Sequence, residues 1–89
     1  MPLVQFTQTL QRHLAVPPAD VPGETVREAL DAVFRNNPAL RGYVLDDRGQ
    51  LRRHVMIFVD GAMIEDRQEL GDRVGPDAQL YVMQALSGG

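Results

Sequence analysis

The feature that most restricts this chain is one strong helix signal set among stretches patterned for strands. Gly23-Glu24 leads into Thr25-Val26-Arg27-Glu28, a Thr-x-x-Glu capping box in which Thr25 and Glu28 satisfy free backbone amides. Val26, Ala29, Leu30, Val33 and Phe34 then fall at i, i+3, i+4, i+7 and i+8, one apolar stripe that needs a partner layer. Asp31 and Arg35 lie four apart on the outer face in the favourable order. Asn36-Asn37-Pro38 ends the helix, because the residue before a proline avoids the α region. A lone striped helix must pack on something, and the rest of the chain supplies a sheet.

In Leu3 to Leu10, Val4, Phe6 and Leu10 share one parity while Gln5, Thr7 and Thr9 share the other, the alternation of a half-buried strand. Pro17, Pro18 and Pro22 bracket Ala19-Asp20-Val21 and restrict it to a short edge strand, since proline cannot donate to a ladder. Asp46-Asp47-Arg48-Gly49 reads as a turn. Leu51 to Asp60 is extended, and its Val55-Met56-Ile57-Phe58-Val59 run is apolar on both parities, as in a strand covered on both faces. Asp60-Gly61 is a hairpin turn into a brief Ala62-Met63-Ile64 strand. Glu65 to Asp77 reads as a polar loop anchored by Leu70 and Val74, and Gly75-Pro76-Asp77 turns the chain into a last strand, Leu80 to Leu86. The expectation is an α+β domain of the β-grasp (ubiquitin-like) order, a mixed sheet crossed by one main helix. Residues 1–86 form the domain, and 87–89 form a flexible C-terminal Gly-Gly tail.

Eighty-nine residues suit one compact domain. The absence of cysteine excludes a disulfide framework, thiolate zinc sites and a cysteine nucleophile. The five-residue apolar run at Val55 is far too short to span a bilayer. Met1-Pro2-Leu3-Val4 lacks the order of a signal peptide. A cytoplasmic protein without a membrane partner is expected. A net charge of −3 argues against a nucleic-acid partner. All nine basic residues are arginine, so no lysine is available as an acceptor for isopeptide-type linkage.

Conventional catalytic parts are missing. His13 and His54 stand far apart with no carboxylate spaced for a metal site, so no metal is expected. Ser87, the sole serine, has no base or oxyanion hole in its sequence neighbourhood. No glycine-rich phosphate loop follows a strand. Glu65, Asp66, Glu69, Asp72 and Asp77 read as a solvated face, or as a contact for a basic partner surface.

The tail differs. Gly88-Gly89 follows an apolar strand directly, and glycine, lacking Cβ, can thread a narrow channel into another protein. The reactive group there is the Gly89 carboxylate, a poor electrophile until it is converted to an acyl-adenylate. An inert tail remains the alternative.

The sequence resembles the MoaD/ThiS sulfur carriers, bacterial relatives of ubiquitin, over nearly its whole length. The likeness is carried by Val4 to Leu10, by Gly23-Glu24-Thr25-Val26 at the helix start, by Gly49 to Asp60, and by Ala78 to Gly89. Within the family it is most similar to the carrier for cysteine biosynthesis. The resemblance implies a carrier rather than an enzyme. An E1-like adenylating enzyme would activate Gly89 with ATP, and a sulfurtransferase or other sulfur donor would convert it to a thiocarboxylate. A pyridoxal-phosphate (PLP)-dependent synthase or other acceptor would take the sulfur, and a metalloprotease would trim the added cysteine. No cofactor would be bound by the carrier itself; ATP and the sulfur donor belong to partner enzymes. The resemblance also implies docking through an apolar sheet face, with Met83 at the exposed apolar position. Tyr81 and Ala85 share its parity, and Leu86 and Ser87 lead on to Gly88 and Gly89. The other reading of Met83 places it beneath the polar loop. Alternatives for the whole protein are a molybdopterin or thiamin carrier, a ubiquitin-like protein modifier, and a non-covalent β-grasp interaction module.

Overall fold

The computed structural model describes residues 1–6 and 17–84. Five strands run in chain order as β1 (Leu3–Phe6), β2 (Ala19–Asp20), β3 (Val55–Val59), β4 (Ala62–Met63) and β5 (Gln79–Gln84). Two helices, α1 (Val26–Asn36) and α2 (Pro38–Val44), lie between β2 and β3. The sheet order is β2-β1-β5-β3-β4, with β1 and β5 parallel and the other pairs antiparallel. The fold is the expected ubiquitin-like β-grasp, a mixed sheet with α1 across it.

Helix α1 begins where the capping box places it. The Glu28 amide donates to Thr25 Oγ1 at 3.2 Å, while Glu28 Oε1 accepts from the Glu24 amide at 2.8 Å, one residue before the cap. The two amides ahead of Glu28 are satisfied by the distant 65–77 loop. Val26 donates to the Asp72 carbonyl at 3.0 Å and Arg27 to that of Leu70 at 2.9 Å. The helix start is thereby tied to the loop that follows β4, which meets the need of first-turn donors for partners outside the helix. Gly23 approaches the same turn so closely that a Cβ would lie 2.8 Å from the Ala29 backbone nitrogen. Its φ of +150° also favours glycine.

Val26, Ala29, Leu30, Ala32, Val33 and Phe34 are buried against Val4 and Phe6 of β1, Leu80 and Val82 of β5, and Val55 and Ile57 of β3. Leu70 and Val74, the expected anchors, join the same core. Each fully buried aliphatic side chain contributes roughly 1.5–3 kcal/mol of transfer free energy. No polar or charged residue is buried among the described residues.

Two expectations change. The segment after Pro38 is a second helix. Pro38 occupies its first turn, where a missing N–H costs nothing, and Leu40 and Val44 are buried beneath it. Strand β3 is covered on one face only: Val55 and Ile57 are buried, whereas Met56 and Phe58 are half-buried on the side away from the helices. Asp31 and Arg35 lie exposed on the outer face of α1, as expected; the ion pair among the described residues is Arg73–Glu24 at 3.8 Å. The Asp46 and Asp60 turns form as expected. Asp46 Oδ1 accepts from the Arg48 and Gln50 amides at 2.9 and 3.0 Å. Asp60 and Gly61 both have positive φ, the requirement of a two-residue hairpin with the sheet's twist.

Candidate functional site

Strand β5 is central in the sheet, and its alternation separates two environments. Leu80 and Val82 face the core; Gln79 and Tyr81 are exposed and Met83 is half-buried on the opposite side. The parity expected for Tyr81 and Met83 therefore holds. Because β3 runs antiparallel beside β5, residues in register share a face. Met83 stands opposite Met56, and Tyr81 opposite Phe58; Phe58 in turn stands opposite Met63. On the other flank Tyr81 is in register with Gln5 of β1.

The result is a row of thioether and aromatic side chains across three strands, with no helix over it among the described residues. Tyr81 retains 41% and Met63 51% of its accessible surface. Gln5, Phe58, Tyr81 and Met83 line an open groove of about 360 Å³, together with Asp60 and Gly61 of the hairpin turn. Met83 lies on this open face and lines the groove, not under the polar loop. Ala85, Leu86, Ser87, Gly88 and Gly89 lie outside the described residues, as does His13. Connectivity alone places Ala85 directly after Gln84, at the β5 end paired with the start of β3.

Met56, Phe58 and Met63 belong to this surface but were not expected there. The signal was present, since Val55–Val59 is apolar on both parities. Its second apolar side supplies an open surface rather than a second buried layer. Methionine suits such a surface because its unbranched side chain adapts to different partners.

The carboxylates of the 65–77 loop divide into two groups. Asp66 and Asp72 are half-buried and organise the loop itself. Asp66 Oδ1 accepts from the Gln68 and Glu69 amides at 3.2 and 2.9 Å, and Oδ2 from Gly71 at 3.1 Å. Asp72 accepts from the Glu65 and Asp66 amides at 3.1 and 2.8 Å. Donation from Glu69 first, then Gly71, outweighs partial desolvation and holds the Asp66 carboxyl below its ordinary pKa. Glu65, Glu69 and Asp77 are exposed. Among the described residues no three His, Cys, Asp or Glu side chains group as a metal site, and no helix is long and apolar enough to cross a membrane. The described surface thus presents exposed apolar side chains on and beside the strand that precedes the diglycine in sequence.

No protein-family model and no curated protein matches the chain. Solved structures do. The crystal structure of SAMP1 from Haloferax volcanii is 27% identical, with 99% of this chain and 98% of that chain covered, at a TM-score of 0.80. A chain of the Amycolatopsis orientalis BexX/CysO complex is 20% identical with full coverage of both chains and a TM-score of 0.84. Mycobacterium tuberculosis CysO is 17% identical over 97% of this chain and all of that one, at 0.82. The last two likenesses establish the fold.

Proposed function

We propose that this chain, a ubiquitin-like β-grasp protein whose structural neighbours are carriers and modifiers of the MoaD/ThiS type, is a sulfur carrier working through the Gly89 carboxylate. An E1-like enzyme adenylates that carboxylate at the expense of ATP, and a sulfur donor displaces AMP to leave a thiocarboxylate. The sulfur then passes to a biosynthetic acceptor, with cysteine formation by a PLP-dependent synthase as the leading pathway. The observation that carries the reading is the end-to-end likeness to SAMP1, together with a sequence in which only Ala85-Leu86-Ser87 stands between the central strand and the diglycine. On this reading the activating chemistry belongs to the partner enzyme. The open row from Met63 to Met83 would, on the same reading, give that partner an apolar seat on the strand that precedes the tail in sequence.

A second reading, a protein modifier, is favoured by the neighbour at 27% identity, whose protein is described as a small archaeal modifier. The two share adenylation and part at the next step: sulfide attacks in one, a protein amine in the other. The chain has no lysine, so lysine-linked chains of itself are excluded in either case.

Intact mass spectrometry separates them. Incubation with ATP, the adenylating enzyme and sulfide should add about 16 Da, the difference between one sulfur and one oxygen atom. An unchanged mass with a full adenylation signal, together with ladders of conjugates in cell extract, would overturn the carrier reading in favour of the modifier.

A further inference from the structure

Charge is distributed unevenly along the direction of β5. At the end where β5 begins, Leu3 is in register with both Gln79 and Asp20. There the Asp60 carboxylate accepts from the Gln79 amide at 2.9 Å, and Asp77 lies exposed two residues before Gln79. At the other end, Gln84 is in register with Val55, which follows directly on Arg52-Arg53-His54. Acid thus gathers where the central strand starts and arginine where it leads out to the tail.

Among the described residues, no carboxylate pairs with the arginines at the exit. Arg67 Nη2 donates to the carbonyls of Arg52 and Arg53 at 2.8 and 3.4 Å, which brings a third guanidinium onto the same turn. Arg52 Nε donates to the Gly42 carbonyl at 2.7 Å. These bonds use neutral acceptors, so the positive charge remains. Arg53 is exposed, and its side chain has no hydrogen-bond or ion-pair partner among the described residues. The ion pair that does occur, Arg73–Glu24, lies by the start of α1, whose Glu24 carbonyl accepts from Val74.

We propose that the Arg52–Arg53 turn is the ionic part of the docking surface, fitted to a protein partner that carries carboxylates around the mouth of its tail-binding channel. The inference rests on Gly89 being the group the partner acts on. Gly89 lies five positions beyond Gln84, a reach of at most ~18 Å when fully extended. A partner that holds Gly89 in a buried site must therefore bring its surface up to this end of the sheet, where Arg53 meets it. An anionic polymer is a poorer occupant, because the chain as a whole carries −3 and would be repelled by a row of phosphates. An acidic rim matches the local charge and opposes the far end, so it also fixes the orientation of approach. Rim charges of this kind act on association rate and salt dependence more than on the bound geometry.

The test is adenylation of the full-length protein by the purified E1-like adenylating enzyme of the same source organism, followed by ATP–pyrophosphate exchange across a NaCl series. Arg53→Glu should raise KM for the carrier about 5- to 10-fold at low salt with kcat retained, and the gap should shrink below about twofold near 1 M NaCl. Arg53→Lys, which keeps the charge, should behave as wild type, as should the charge reversal Asp77→Arg at the opposite end. All three should melt as wild type does, since both positions are exposed. Equal KM and salt slope for Arg53→Glu and wild type would sink the proposal while leaving the carrier function standing. A defect shared by Arg53→Lys, or one in KM for ATP alone, would likewise overturn it, by assigning the residue to shape or to nucleotide phosphates. Failure of wild type itself to be adenylated would remove the carrier reading and this proposal together.

Discussion

The two faces of the sheet both carry apolar residues but differ in what covers them. On one, Val4, Phe6, Val55, Ile57, Leu80 and Val82 are buried beneath α1 and the 65–77 loop. On the other, Met56, Phe58, Met63, Tyr81 and Met83 form a continuous row that nothing among the described residues covers. The covered face consists largely of branched aliphatic residues, which have few rotamers and pack at crystal-like density. The open face consists of thioethers and aromatics, which adapt or stack and keep part of their surface in water. The division teaches that β3 and β5 serve two purposes at once. One parity of each strand makes the fold, and the other presents an apolar surface, the seat of a partner on the proposed function.

The severest way to break the comparison is to place the same charge on each face. Ile57→Asp would set a carboxylate without a partner at a fully buried position, a cost of several kcal/mol. A domain of this size has total stability of about 5–10 kcal/mol, so loss of the cooperative melting transition is expected by circular dichroism. A normal melt would mean that the helix layer does not seal this face.

Met83→Asp, on the neighbouring strand, should do the reverse. Met83 is half-buried and faces the groove, so the melting temperature should fall by no more than about 5 °C, equivalent to roughly 1 kcal/mol. Adenylation by the E1-like enzyme should weaken about tenfold or more, because a charge would be desolvated at an apolar contact. Unfolding of this variant would place Met83 in the core and erase the distinction between the faces.

How much of this was legible in the sequence follows from which interactions are local. The start of α1 was readable because Thr25 and Glu28 act within one turn. The parity of Tyr81 and Met83 was readable because alternation is a property of a single strand. The open side of β3 was misread, since the run from Val55 to Val59 reports hydrophobicity and not what covers it. Met56, Phe58 and Met63 join Tyr81 and Met83 only through strand register, which no local pattern encodes. Helix α2 escaped notice because seven residues beginning at Pro38 and containing Gly42 carry too little periodicity. Asp66 and Asp72 looked like solvated charges, because their backbone partners depend on how the loop folds back on itself.

The mildest effect concerns the loop that completes the covered side. Leu70 and Val74 enter the core, and the carbonyls of Leu70 and Asp72 hold the first turn of α1. Asp66 gives the loop its shape through three backbone amides. Those donors favour the carboxylate, so its pKa is lower in the folded state than in the unfolded chain. The sign follows from proton binding: the unfolded chain takes up the proton first, and acid pulls the equilibrium toward it. The contribution of Asp66 is therefore fully present above the ordinary carboxylate pKa, near pH 4. It declines as pH falls toward the lowered folded value. Asp66→Asn retains one acceptor oxygen but loses the second, which receives the Gly71 amide. This variant should be slightly less stable at pH 7 and should lose less stability than wild type between pH 5 and pH 2.5 in urea titrations. Parallel acid limbs for the two proteins would show that the loop is held by Leu70 and Val74 alone, making apolar burial sufficient for the covered face.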